Sequence, residues 1–300
     1  MAISNIFDKA KKQADGGCLD SGYVIDGTPF NCYYSNKEWD DFVSEMERTH
    51  HDIWLKFRDG DGGEITTYID DDGKPRPPKM ASYASSSRLM YEMAIALDGF
   101  TVEEKLSTGL GGRPASLDGY LASKNLYVEA KCHEFYSHSN PKLRKGHKNL
   151  FDGIIDLLPQ FSYEPKEIGK RVCLSFDGDI YNFDLKQMLC HLCGIANRVL
   201  RNRNGLQKVN FIYLIYKPTT ELLDNISSEE DKDKILELFC KEKETAERIP
   251  FNDIFCAILK YFNKKKTRYT DKEIELISDK DHFKFIVCDQ TNFKDVVKHL

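Results

Sequence analysis

The chain has 300 residues, of which 41% are hydrophobic and 30% charged, and its formal net charge is −5. Those values fit a globular protein with chain enough for one large domain or a domain plus an extension, and they disfavour a broad nucleic-acid-binding surface while leaving local basic patches open. No run approaches the roughly eighteen consecutive apolar residues of a transmembrane helix, and nine cysteines at this length predict reduced thiols in a cytoplasmic protein.

Residues 1–80 read as a partly helical N-terminal extension. The first twenty are polar, with Lys9, Lys11 and Lys12 and no apolar segment, which argues against a secretory signal. Trp39, Phe42, Met46, Ile53 and Trp54 predict a helix over 37–57. Asp59-Gly60-Asp61-Gly62-Gly63-Glu64 resembles a calcium loop only superficially. Glu64 stands where the turn glycine belongs and Asp70 replaces the final glutamate, so a turn is expected. The Asp-, Gly- and Pro-rich stretch 70–79 reads as the entry to a main domain over 81–300.

In that domain Ser85, Ser86 and Ser87 are helix-start residues, a helix runs to Leu97, and Gly99 ends it. A strand over 100–107, a glycine turn over 109–112 and a two-stranded hairpin around Asp118 and Glu129 follow. Next come a helix over 149–158, a strand over 171–176 and the strongest helix, 184–202, whose Leu185, Met188, Leu189, Leu192, Ile195, Ala196 and Val199 form a broad apolar face. A β-branched, aromatic-rich strand at 209–216, charged helical additions near 227–262 and a last strand at 283–287 complete the pattern. Helix, three strands, helix and strand in that order predict an α/β domain with a mixed sheet. Cys190 and Cys193 form a C-x-x-C without a second ligand pair, and on a strand His133 points away from Cys132. Buried helix cysteines are therefore favoured over a zinc site.

The chemistry concentrates in the hairpin. Side chains alternate along a strand, so Ser116, Asp118 and Tyr120 are expected on one face, and Tyr127, Glu129, Lys131 and His133 on one face of the next strand. If 122–125 is the turn, symmetric pairing sets Asp118 opposite Glu129. Two carboxylates at cross-strand distance repel each other, and a divalent cation between them removes the repulsion. Lys131 is then placed to orient an attacking water or to stabilise charge on phosphoryl oxygens. The same D-x10-E-x-K text is also what a polar surface hairpin carries by chance. Glu92, on the preceding helix, is either an accessory ligand or part of a solvated face. Three basic patches, 142–148, Arg198 with Arg201 and Arg203, and 264–268, read either as solvated faces or as phosphate contacts. Gln187, His191, Gly194, Arg198 and Arg201 fall on one stripe of the long helix.

Helix with Glu92, strand, strand with Asp118, strand with Glu129-Ala130-Lys131, helix with Gln187, strand: this order resembles the PD-(D/E)XK nuclease superfamily, although Leu117 stands where the leading proline is usual. Ala84 to Arg88, Leu117 to Tyr120, Val128 to Glu134, and Phe183 to Gln187 with Leu189 to Leu192 are similar to a little-characterised group of restriction endonucleases within it. The resemblance covers about 80–217. It implies a restriction-endonuclease-like core (αβββαβ) and a Mg2+-dependent (or Mn2+-dependent) nuclease acting on DNA. In it, Asp118 and Glu129 and the Ala130 carbonyl hold metal, Lys131 assists the water, Glu92 and Gln187 complete the catalytic set, and His191, Arg198 and Arg201 face nucleic acid. A homodimer is a further expectation, because cutting both strands of a duplex takes two sites. The alternative is a non-catalytic nucleic-acid-binding or complex-forming protein on the same fold.

Overall fold

The computed structural model describes residues 36–60, 63–69, 73, 75–76, 78–82, 85–132, 142–157, 161–162, 167–168, 171–173, 175–176, 185–202, 207–224, 229–264 and 268–300. Ala84, His133, Glu134, Phe183, Asp184, Arg203 and residues 265–267 lie outside them, as do the side chains of 142–148. In chain order come α1 (Asn36–Thr49), α2 (His51–Asp59), α3 (Ser86–Ala96), β1 (Phe100–Leu106), β2 (Ala115–Leu121), β3 (Leu126–Lys131), α4 (Lys145–Asp152), α5 (Leu185–Arg201), β4 (Val209–Ile215), α6 (Thr220–Asp224), α7 (Glu229–Arg248), α8 (Phe251–Asn263), α9 (Asp271–Ser278), β5 (Phe283–Asp289) and α10 (Phe293–Lys298).

The strands form one mixed sheet in the order β5-β4-β3-β2-β1, with β1–β3 an antiparallel meander and β3, β4 and β5 parallel. The fold is thus α/β with a five-stranded mixed sheet flanked by helices, in the predicted helix–strand order. Every residue of β3 and β4 is buried, as expected of central strands covered on both faces. The β2–β3 turn is a single 3-10 turn over Ala122–Lys124 closed by Asn125 in the left-handed region (φ 43°), which asparagine tolerates. It sets Leu121 opposite Leu126 and Gly119 opposite Val128, the register of the symmetric hairpin.

Parity assigns the two faces. A Cβ on Gly119 would point at Met90 of α3, so α3 covers the Gly119–Val128 face, whereas α5 meets the Tyr127–Glu129 face through Arg198 and His191. Gly194 lets α5 approach closely: a Cβ there would stand 2.7 Å from Leu106 Cβ and 3.6 Å from Ala115 Cβ.

Several boundaries differ from expectation. The 37–57 helix is two helices broken at His50, and the 227–262 stretch breaks at Ile249–Pro250, where proline cannot continue a helix ladder. The 149–158 helix is α4 followed by a 3-10 turn, Ile155–Leu157. Residues 171–176 split into Arg171–Cys173 and Ser175–Phe176, which pair in two small ladders apart from the central sheet. The part of the N-terminal extension that is described packs into the main core through Trp39, Met46, Phe57 and Ile65. Among the described residues no helix is long and apolar enough to cross a membrane.

Gly194→Ala should lower stability against urea by about 1–2 kcal/mol. The clash with Leu106 Cβ costs about 1–3 kcal/mol and outweighs a helix-propensity gain of about 1 kcal/mol. A variant more stable than the wild type would contradict this packing.

Candidate functional site

The site grows from the carboxyl end of β3, where Glu129, Ala130 and Lys131 end a fully buried strand. Glu129 is 1% exposed and Lys131 5%. An ionised carboxylate so deep must be paired, and here each oxygen meets a cation-forming group: Oε1 lies 2.8 Å from Lys131 Nζ, and Oε2 lies 2.9 Å from His191 Nε2. The histidine reaches Glu129 from α5 and the lysine from β3 itself. Burial pushes the Glu129 carboxyl upward, but the charges of His191 and Lys131 outweigh it and hold it at about 2. Lys131 Nζ also donates to Gln187 Oε1 at 2.6 Å. Gln187 and His191, one helical turn apart at the start of α5, thus close over the Glu129–Lys131 pair.

Asp118 joins differently from the expected face-to-face pairing. The β2–β3 ladder stops at Gly119–Val128, and Asp118 Oδ2 accepts the Ala130 N–H at 2.7 Å. Backbone N–H groups point along the sheet plane, so the carboxylate lies in that plane, standing in for a ladder carbonyl, rather than upright on the sheet face. The Ala130 carbonyl leaves β3 on the same side as its N–H and opens toward the gap past the last β2–β3 pair.

Glu92 is not brought into this cluster. It lies on α3, on the other side of the sheet from α5, with its side chain 54% exposed and Arg88 Nε at 3.9 Å. His191, expected at a nucleic-acid surface, is 1% exposed, and its ring meets Phe211 edge-on at 6.3 Å. The stripe it shares with Gly194 faces the sheet rather than solvent. Arg198, on the same stripe, pairs with Glu104 and lies over the rings of Tyr120 (4.7 Å) and Tyr127 (5.7 Å). That engagement accounts for the residue without a phosphate. Arg201, at the end of α5, is exposed.

Two residues escaped the sequence reading. Tyr213 of β4 is the in-register neighbour of Glu129, and its hydroxyl donates to Glu242 Oε1 of α7 at 2.6 Å. Glu242 is fully buried, although its sequence surroundings read as a solvated charged helix. Cys193 is buried, and burial pushes its thiol well up, as expected of a structural cysteine.

Among the described residues no group of three or more His, Cys, Asp and Glu is gathered around a common point as a metal site. The oxygens of Asp118, Glu129 and the Ala130 carbonyl would be an all-oxygen set of the kind a hard cation takes together with water, and those of Glu129 already meet Lys131 and His191. No protein-family model matches the chain, and no curated protein or solved structure matches it either.

The charge pairing at Glu129 gives stability a pH dependence. The folded carboxyl titrates near 2, below an unfolded glutamate, so its contribution, on the order of 3 kcal/mol, is present above about pH 5 and lost as pH falls toward 2. Thermal midpoints of the wild type and Glu129→Gln should therefore differ most near neutral pH and converge on acidification. A gap that widens toward acid would overturn the pairing.

Proposed function

We propose that the chain is a Mg2+-dependent nuclease that hydrolyses phosphodiester bonds in DNA, an endonuclease of the restriction type on a PD-(D/E)XK core. The observation that carries this reading is the convergence of Asp118, Glu129, Lys131 and Gln187 at the carboxyl end of β3, from two adjacent strands and the following helix. Ligand sites of open α/β sheets lie at that end of the parallel strands. The αβββαβ order of the elements supports the same reading.

A cation would be held by Asp118, Glu129 and the Ala130 carbonyl, and when bound it supplies Lewis-acid polarisation of a phosphoryl oxygen. The chain's own residues do the rest. Asp118, tied to the Ala130 amide, keeps a carboxylate at the mouth of the β2–β3 gap. Lys131, steadied by Gln187, offers its ammonium to the charge that develops on the phosphoryl group as water attacks phosphorus and the P–O ester bond breaks. Gln187 is a positioning residue for Lys131, and His191 is one for Glu129.

One observation favours a second reading, a non-catalytic nucleic-acid-binding protein on the same fold: Glu129 is 1% exposed, with both oxygens already contacted. Supercoiled plasmid and single-stranded DNA incubated with the protein in Mg2+, Mn2+ and EDTA separate the two. The nuclease nicks in metal and stops in EDTA, whereas a binder retains salt-dependent affinity in EDTA and cuts nothing. Lys131→Met should lower nicking roughly a hundredfold or more while keeping Mn2+ affinity, the scale of losing one electrostatic stabiliser. Wild-type nicking by that variant would remove Lys131 from the chemistry.

A further inference from the structure

Glu103 is one of two non-glycine residues with positive φ among the described residues, and the other is the turn residue Asn125. It sits in the middle of β1 at φ 57°. That region carries a steric penalty for residues with a Cβ, and glutamate has no short side chain to offset it. Such a conformation persists where the surroundings impose it, and those places cluster at functional sites.

The partner across the strand is Asp118. The β1–β2 ladder pairs Val102 with Gly119 and Glu104 with Leu117, and it skips the Glu103–Asp118 pair between them. Two residues separate the flanking pairs on each strand, so no residue is inserted and the register is unchanged. What changes is the face. Before the kink Phe100 lies beneath Gly119, on the side that α3 covers. After it Glu104 pairs with Arg198 of α5, and Leu106 and Ala115 meet Gly194 of α5. Simple alternation would put Phe100, Glu104 and Leu106 on one side. The strand pair turns over at 103 and 118, and Asp118 is the β2 position that the β1–β2 ladder skips and that lies just past the last β2–β3 pair.

We propose that Glu103 is a positioning residue for Asp118: its left-handed backbone turns the β1–β2 pair over and lays the Asp118 carboxylate in the sheet plane against the Ala130 amide. The kink is clamped from outside. Lys56 Nζ donates to the Val102 carbonyl at 3.5 Å, and a Cβ on Gly60 would lie 3.3 Å from the Glu103 carboxylate. The consequence for metal binding rests on the nuclease reading; the backbone device does not.

Two measurements on Glu103→Gly, Glu103→Asn, Glu103→Val and Asp118→Ala separate these. Hydrogen exchange at the Ala130 amide reports the Asp118 contact whether or not the protein binds metal, and Mn2+ affinity reports the site. Glycine and asparagine accept positive φ, so those variants should keep wild-type protection at Ala130 and wild-type Mn2+ affinity, with the glycine variant's thermal midpoint at or above the wild type's. Valine resists positive φ, so it should speed Ala130 exchange by roughly tenfold or more, toward the Asp118→Ala rate, with Val128 still protected, and should weaken Mn2+ binding. Loss of Ala130 protection in Glu103→Gly would overturn the proposal, since the side chain and not the backbone would then be holding Asp118. Wild-type protection in Glu103→Val would overturn it as well. Should the valine variant fail to fold, the glycine and asparagine variants still decide. Absence of Mn2+ binding in the wild type would count against the nuclease reading, and the Ala130 exchange pattern would still stand or fall alone.

Discussion

The constraint on which the rest of the structure depends is an ionised carboxylate on the innermost strand of the sheet. Glu129 is walled in by apolar neighbours, with β2 on one side and β4 on the other. Charge at that depth costs several kcal/mol unless its partners are close and well placed. One partner, Lys131, comes from the same strand two residues on, and the other, His191, comes from α5. The helix therefore turns its Gln187–His191–Gly194 stripe to the sheet, where it meets the buried carboxylate, and packs against α8 as well. Gly194 allows the first, because without a Cβ the helix axis can come close enough for His191 and Gln187 to reach.

A buried ion pair is a poor way to stabilise a fold, since apolar residues of the same volume often do as well or better. Natural sequences break the rule of an apolar core chiefly where function requires it. A glutamate and a lysine buried in a strand otherwise built of leucine, tyrosine, valine and alanine are such a break, and Tyr213 with Glu242 adds a second buried polar pair on the next strand and α7. The energetics thus single out this pair as a feature kept for something other than stability, and they bear equally on the catalytic and the non-catalytic reading.

The sequence made much of this visible, for definite reasons. Period-two alternation put Glu129 and Lys131 on one face, and a spacing of four put Gln187 and His191 on one helical stripe, because both periods are fixed by backbone geometry. The hairpin register was conditional on a turn at 122–125, which the text alone does not fix and which the structure has. Other features depend on partners far away in the chain. Nothing in a Lys-Glu-rich helix distinguishes Glu242, which a core tyrosine takes out of solvent. His191 is buried rather than at a surface, and Glu92 has the solvated face that was one of its two readings, because a helical stripe shows which residues travel together but not which sheet face they meet. Asp118 left its predicted face because Glu103, a residue with no preference for the left-handed region, turns the strand over.

The segment before residue 80 has its place in the same physics. β1 is an edge strand, and an edge carries exposed backbone groups and little to hold an unusual conformation. Here α2 lies along that edge: Lys56 takes up the Val102 carbonyl, and Gly60 leaves room for the Glu103 carboxylate. Glu64, half-ringed by Lys79 and Ser87, ties the same segment to the start of α3. A left-handed glutamate on a bare edge would relax to ordinary strand and carry Asp118 back onto the sheet face. Held between α2 outside and the Asp118–Ala130 bond inside, it has no such freedom. Among the described residues, α2 and Gly60 thus border the strand turn that sets the edge beside Asp118.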